Sequence, residues 1–117
     1  MSKHRGFRPT STETAYVEAL ENLRGRKSRM VDHNTEMVSD YDGVRVYLHH
    51  KPIIHYTRGE VRVNSCGWRT HTTKSRMNSL LPPGISVYQC KHVWYVGYLP
   101  NNPTDCGYKV FVDGMKV

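Results

Sequence analysis

Hydrophobic residues recur along this chain with two different periods. Near the N-terminus Tyr16, Ala19, Leu20 and Leu23 fall at i, i+3, i+4 and i+7, the spacing of one face of an α-helix. Thr10 and Glu13 stand ahead of it at capping-box spacing, and Gly25 follows its last apolar position. From Val44 the period drops to two. "VRVYLHH" puts Val44, Val46 and Leu48 on one face, "IIHY" continues across Lys51-Pro52, and "EVRVN" returns after Arg58-Gly59, which predicts a three-stranded antiparallel meander. Helical spacing resumes at Met77, Leu80 and Leu81, with Thr72 or Thr73 placed to cap and Pro82-Pro83 placed to stop. "ISVYQC" and "HVWYVGYL" then flank Lys91 as a hairpin, and after the loop "NNPTDCG" the chain ends on "YKVFVDGMKV", a last strand. The pattern predicts an α+β fold: N-terminal helix, antiparallel β-meander, second helix, C-terminal β-hairpin and short strand, in one compact domain.

Length agrees with a single domain, since 117 residues with 38% hydrophobic content support one modest core. The start, "MSKHRGFRPT", is basic and without period. Residues 1–11 therefore read as a flexible basic arm and residues 12–117 as the domain.

Charge changes the picture most. Lys plus Arg number 17 against 10 acids, a net +7, and such an excess sets up a field that attracts polyanions, nucleic acid first among them. The candidate contacts come in three groups. Arg24, Arg26, Lys27 and Arg29 lie in "RGRKSR", at and beyond the first helix's C-terminus, where the macrodipole also favours cations. Arg45 and Arg62 share the outward face of the meander with Tyr47 and His49, a mixture that can hold phosphates and stack on bases. Arg69, Thr72, Thr73, Lys74 and Arg76 lie in "NSCGWRTHTTKSRMN", where a strand, a Gly-containing loop and a helix follow one another and free N–H groups of the helix start suit an anion. Each group also has a purely structural explanation: a solvated helix end, a half-solvated sheet, hydroxyls that cap a turn. Within the third, Lys74 and Arg76 are expected to face solvent and Trp68, after Gly67, to plug the core.

Other chemistry finds little purchase. Cys66, Cys90 and Cys106 are an odd number behind no apolar leader, so a reduced cytoplasm and packed thiols are expected. Cys66 with His71, Cys90 with His92, and the His49-His50 pair form no CxxC or HxxxH frame, so no metal or other cofactor is expected. The ten acids are scattered, no serine or cysteine shares a motif with a histidine, and the P-loop pattern is absent. The stretch from Gly84 to Gly97 resembles the paired motifs of GIY-YIG nucleases, but Ser86 replaces the first motif's tyrosine and too little chain follows for the catalytic Arg and Glu. A non-enzyme is expected. No run approaches the roughly 18 apolar residues of a membrane helix.

The order "HNTEMV", "VRVYLHHKPII", "VNSCGWRTHTTKSRMN", "VYQCKHVWYV" and "FVDGM" resembles a widespread group of small proteins from tailed phages. The similarity runs from about His33 to Met115, and its most specific part is a GWRTxTTKxRMN core carried by Gly67, Trp68, Arg69, Thr70, Thr72, Thr73, Lys74, Arg76, Met77 and Asn78. The resemblance implies a phage origin and a host cytoplasm, and supplies no activity. Taken with the charge, it leads to the expectation of a phage accessory protein that binds nucleic acid through a basic surface. The alternatives are an inhibitor that binds a host defence or transcription complex, and a minor virion component.

Overall fold

A computed structural model describes residues 7–100, 106–107 and 109–117. The predicted α+β class holds: α1 (Ala15–Leu23) precedes β1 (Ser28–Asp32), β2 (Thr35–Asp40), β3 (Gly43–Leu48), β4 (Lys51–Thr57) and β5 (Glu60–Val63). After them come α2 (His71–Leu80), β6 (Ser86–Cys90), β7 (Val93–Gly97) and β8 (Met115–Lys116). Strands β1 to β5 run as an antiparallel meander with β8 added beyond β5, and β6 pairs β7 in a separate two-stranded sheet. The meander thus has two strands more than the three expected. Both were hidden because β1 buries only Val31 fully and β2 buries a threonine, Thr35, beside Met37, so neither reads as an apolar alternation.

The strands are joined by tight turns whose chemistry explains the register. His49 and His50, at φ 50° and 70°, make the β3–β4 turn, and positive φ at both central residues matches the right-handed twist of the flanking strands. Lys51-Pro52 consequently lies inside β4 rather than at a turn. Proline is tolerated there because the ladder slips: Val46 opposes Ile54 while Tyr47 opposes Pro52, leaving Ile53 as the extra residue of a bulge. The slip lets Ile53 and Ile54, neighbours in sequence, both be buried. At the β2–β3 turn Gly43 has φ +124°, and a Cβ there would collide with the Tyr56 carbonyl oxygen, so only glycine fits.

The core lies between the sheet's inner face and the helices. Val44, Val46, Ile54, Tyr56, Val61 and Val63 point inward, α1 adds Ala15, Ala19 and Leu23, and α2 adds Met77 and Leu80. Tyr56 is fully buried, and its hydroxyl donates to the Leu80 carbonyl at 2.9 Å, tying β4 to the end of α2. Burial pushes its phenol above the ordinary value. The start of α1 differs from the expected capping box: its first residue is preceded by Thr14, which makes no side-chain cap. Glu18 instead accepts from the Thr10 amide, the Thr10 hydroxyl and the Thr14 hydroxyl at 2.7 to 3.0 Å. The Thr10 hydroxyl holds the Glu18 carboxyl below its usual range, against the opposing effect of burial. Leu20, expected on the inner face of α1, is exposed, and Ala15 takes its place.

Of the arm expected at residues 1–11, residues 1–6 lie outside the described residues. Phe7 packs edge-on against Tyr56 with ring centroids 5.9 Å apart, and Arg8 donates to the Asn78 carbonyl at 3.2 Å. Deleting residues 1–30 would therefore remove Phe7, the whole of α1 and three of the five residues of β1. At the other end the chain staples the two sheets together. The Phe111 amide donates to the Trp94 carbonyl at 2.9 Å, the Gly114 amide to Val63 at 2.7 Å, and β8 continues on β5. Cys90 and Cys106 are joined by a disulfide, which corrects the reading of all three cysteines as free thiols and weakens the case they made for a reduced compartment. Cys66 is the free cysteine.

Candidate nucleic-acid interface

The segment from Asn64 to Asn78 leaves β5 through a left-handed turn. Cys66 and Gly67 have φ 53° and 81°, and the Trp68 amide donates to the Ser65 carbonyl at 2.8 Å, the arrangement of a type I′ turn. The turn is held at three points. Asp113 accepts from both the amide and the hydroxyl of buried Ser65 at 2.7 Å, Asn64 accepts from the Cys66 amide at 2.7 Å, and the Cys66 thiol lies 3.3 Å from the Pro52 carbonyl. Burial pushes the Cys66 thiol above its ordinary value, Asp113's charge adds to this, and Lys51 partly offsets it.

Trp68 follows that turn and is not the core plug expected of it. It is 57% exposed, with the Lys51 ammonium 5.1 Å from its ring centroid. The buried tryptophan is Trp94, 4% exposed, edge-on to Phe111 at 5.5 Å. Over this second aromatic pair lie the next two cations: the Arg69 guanidinium is 5.0 Å from the Phe111 ring and 5.5 Å from Trp94, and the Lys74 ammonium is 5.5 Å from Trp94. Lys74 also reaches the exposed Gln89 amide at 3.3 Å. A groove of about 340 Å³ opens beside Trp68, with Leu48 and Ile53 in its wall and Thr70, Thr72 and Lys51 at its edges.

The start of α2 is largely closed as an anion site. Thr70, not Thr72 or Thr73, is the cap: its hydroxyl accepts from the Thr73 amide at 3.2 Å. Thr73 is buried, leaving only Thr72 of the two expected hydroxyls at the surface. Arg76, expected at the solvent, turns back to the β1–β2 turn instead. Its guanidinium donates to the hydroxyl of buried Thr35 at 3.0 Å and to the His33 carbonyl at 3.4 Å, and lies 3.8 Å from the Asp32 carboxylate.

The other expected contacts are dispersed. Arg24 ends α1 in a left-handed conformation, Arg26 and Lys27 are exposed in the connection beyond it, and Arg29 of β1 is bound by Asn22 through its carbonyl and side-chain oxygens at 2.9 Å. Arg45 and Arg62 do lie on the sheet face away from α1, in one cross-strand row through His55. Arg45, however, pairs with Asp40 and Asp42 at 2.6 and 2.9 Å, and Arg62 pairs with Glu60 at 2.6 Å. Burial alone would raise the Asp40 carboxyl, but the Asp42 amide and Arg45 hold it below its usual range. These cations spend their charge within the protein.

The structure thus gathers Thr72 with Lys51 and Trp68 around one groove, places Arg69 and Lys74 over the Trp94–Phe111 pair, and separates both sets from the rest. Sequence reasoning left Lys51 out, and a signal for this region was present: no Asp or Glu occurs between Glu60 and Asp105. Among the described residues no three of His, Cys, Asp and Glu converge to hold a metal ion, and no helix is long and apolar enough to cross a membrane.

Comparison with known families decides the relationship of the chain, for residues 11–117 match the Kyanoviridae Gp96 protein family. The chain belongs to this phage protein family. The match covers α1 and the basic connection after it, so the Kyanoviridae Gp96 relationship extends further toward the N-terminus than the similarity from His33 to Met115 suggested. No curated protein and no solved structure matches this member of the family.

Proposed function

We propose that this phage protein is a non-catalytic accessory protein that binds nucleic acid through the face formed by Lys51, Arg69, Thr72 and Lys74. The observation that carries the reading is a set of cations that have no carboxylate partner among the described residues, around an acid-free stretch: Lys51, Arg69 and Lys74 rest on aromatic rings, while Asp and Glu are missing from residues 61–104. Cations held on ring faces keep their charge available to a phosphate, whereas Arg45, Arg62 and Arg76 are already matched by acids. The host cytoplasm is the compartment in which such a protein would meet its ligand.

The test is a salt titration with labelled oligonucleotides for the wild type and for the triple variant Lys51→Ala, Arg69→Ala, Lys74→Ala. Loss of three phosphate contacts should lower affinity and flatten the slope of log K against log salt by roughly 2 to 3 units. Equal slopes for the two proteins at a shared melting temperature would remove this face from the interface.

A second reading, a host protein complex as partner, rests on a different surface. Tyr98 and Leu99 are 77% and 62% exposed at the rim of a groove of about 570 Å³ beside β6 and β7, and exposed aromatic and aliphatic residues of this kind are characteristic of protein interfaces. Replacing both with Ser should abolish capture of a host protein if that reading holds, and leave the salt titration unchanged.

A further inference from the structure

We propose that the groove beside Trp68 receives an unpaired base of a single-stranded nucleic acid, stacked against the indole; the inference rests on the nucleic-acid reading above and names its substrate class. Trp68 is a large apolar ring that the fold holds at the surface. It is 57% exposed although the loop around it is firmly built: the type I′ turn, the two hydrogen bonds from Ser65 to Asp113 and the Asn64–Cys66 contact all fix the backbone just before it. The Thr70 amide donates to the Trp68 carbonyl at 3.0 Å and fixes the backbone just after it. A platform immobilised in advance loses little freedom on binding, which is the condition under which one exposed ring contributes usefully to affinity.

The groove's chemistry fits a base with its phosphates. Its wall is apolar at Leu48 and Ile53, suited to the flat face of a ring, and its edge carries the exposed Thr72 hydroxyl, suited to exocyclic groups. Its volume of about 340 Å³ lies at the low end of the roughly 300–1,000 Å³ of small-ligand sites. Lys51 lines the same groove with its ammonium over the indole, so a cation stands beside the point where a base would enter. A duplex keeps its bases stacked inside and cannot use such a ring, while a single strand can, whatever its sequence. The chemistry recognised, a planar base on a phosphodiester backbone, is common to DNA and RNA.

The experiment uses the full chain, with labelled oligothymidylate, oligouridylate and a DNA duplex of matched length, for the wild type, Trp68→Ala and Trp68→Phe. Melting curves accompany each protein, and an exposed indole predicts that they coincide. Trp68→Ala should lower affinity for at least one single strand by about 5- to 150-fold, the equivalent of one lost stacking contact. It should leave duplex binding and the salt slope as they are, and Trp68→Phe should restore most of the loss. The two single strands tell a DNA ligand from an RNA ligand. If Trp68→Ala binds both single strands as the wild type does, while the triple cation variant loses affinity, base stacking is refuted and the nucleic-acid reading stands. If the wild type binds none of the three ligands in a salt-dependent way, both are refuted.

Discussion

Replacing Arg76 by Ala is the sharpest test of how α2 is seated. The change removes a charged hydrogen bond to the Thr35 hydroxyl at 3.0 Å, a longer one to the His33 carbonyl at 3.4 Å, and an ion pair with Asp32 at 3.8 Å. A hydrogen bond involving a charged group contributes about 1.5–3 kcal/mol. The ion pair, to a carboxylate that is half exposed, adds less than about 1 kcal/mol. Thr35 keeps one partner, because its hydroxyl donates to the His33 carbonyl at 2.8 Å, so no buried donor is orphaned. The expected loss is about 2–3 kcal/mol, or a fall of roughly 6–15 °C in Tm for a domain of this size. Arg76→Lys should recover only part of it, since one ammonium cannot reach all three acceptors as a planar fork does. Lys74→Ala, whose contacts are an exposed amide and the Trp94 ring, should cost under about 1 kcal/mol. Differential scanning calorimetry of the three variants decides the matter. An Arg76→Ala protein that melts within about 1 °C of the wild type would refute the assignment and return Arg76 to the solvent-facing role that helical periodicity alone suggests.

Two further outcomes follow from the same contacts. Asp40 and Glu18 have carboxyls held below their usual ranges in the folded state, so the unfolded chain binds the extra protons. Their contribution is present in full above the unfolded values near pH 4 and is lost as pH falls through the folded ones. Urea midpoints should therefore drop below about pH 4, and the drop should be smaller in Asp40→Asn; an identical acid limb in that variant would rule Asp40 out. The Cys90–Cys106 disulfide closes a loop with a sequence separation of 16, and replacing both cysteines by Ala should cost about 3 kcal/mol by calorimetry; no change in Tm, with free thiols then measured in the wild type, would show that the pair is not oxidised in solution.

Much of the fold is legible in apolar spacing because its buried positions are aliphatic. Val44, Val46, Leu48, Met77, Leu80 and Leu81 are all buried as their periods require. Where tertiary contacts substitute for hydrophobicity, the pattern fails. Thr35 is buried in β2 because Arg76 and the His33 carbonyl satisfy its hydroxyl, and a threonine in a run of polar residues carries no trace of that partner 41 positions away. The β3–β4 turn was displaced by two residues because His49-His50 adopts a conformation that Asn-Gly usually signals, and because Pro52 fits a strand only through a bulge. The candidate site shows the same division. Its cations were visible as residue types, but whether each is matched by an acid depends on strand register: Arg45 reaches Asp40 and Asp42 across the β2–β3 turn, and nothing reaches Lys51 in that way among the described residues.

The segment from Asn64 to Asn78 serves the fold and the surface through interleaved positions. Thr73, Met77 and Leu80 face the core, Arg76 holds the β1–β2 turn, and Asn78 covers β6, its side-chain oxygen accepting from the Val87 amide at 2.7 Å and its amide donating to the Val87 carbonyl at 2.9 Å. That last pair of bonds completes a strand edge with one side chain, leaving less of it free to pair with another chain. What remains outward is Gly67 to Thr72 and Ser75, with Lys74 half-buried. The helical repeat forces this sorting, since residues 100° apart cannot share a face. A short sequence rich in hydroxyls and cations thus has two independent kinds of constraint on it. Its inward residues can be judged by melting and its outward ones by binding, and Arg69 and Lys74, which lie over the Trp94–Phe111 pair, are where core and surface meet.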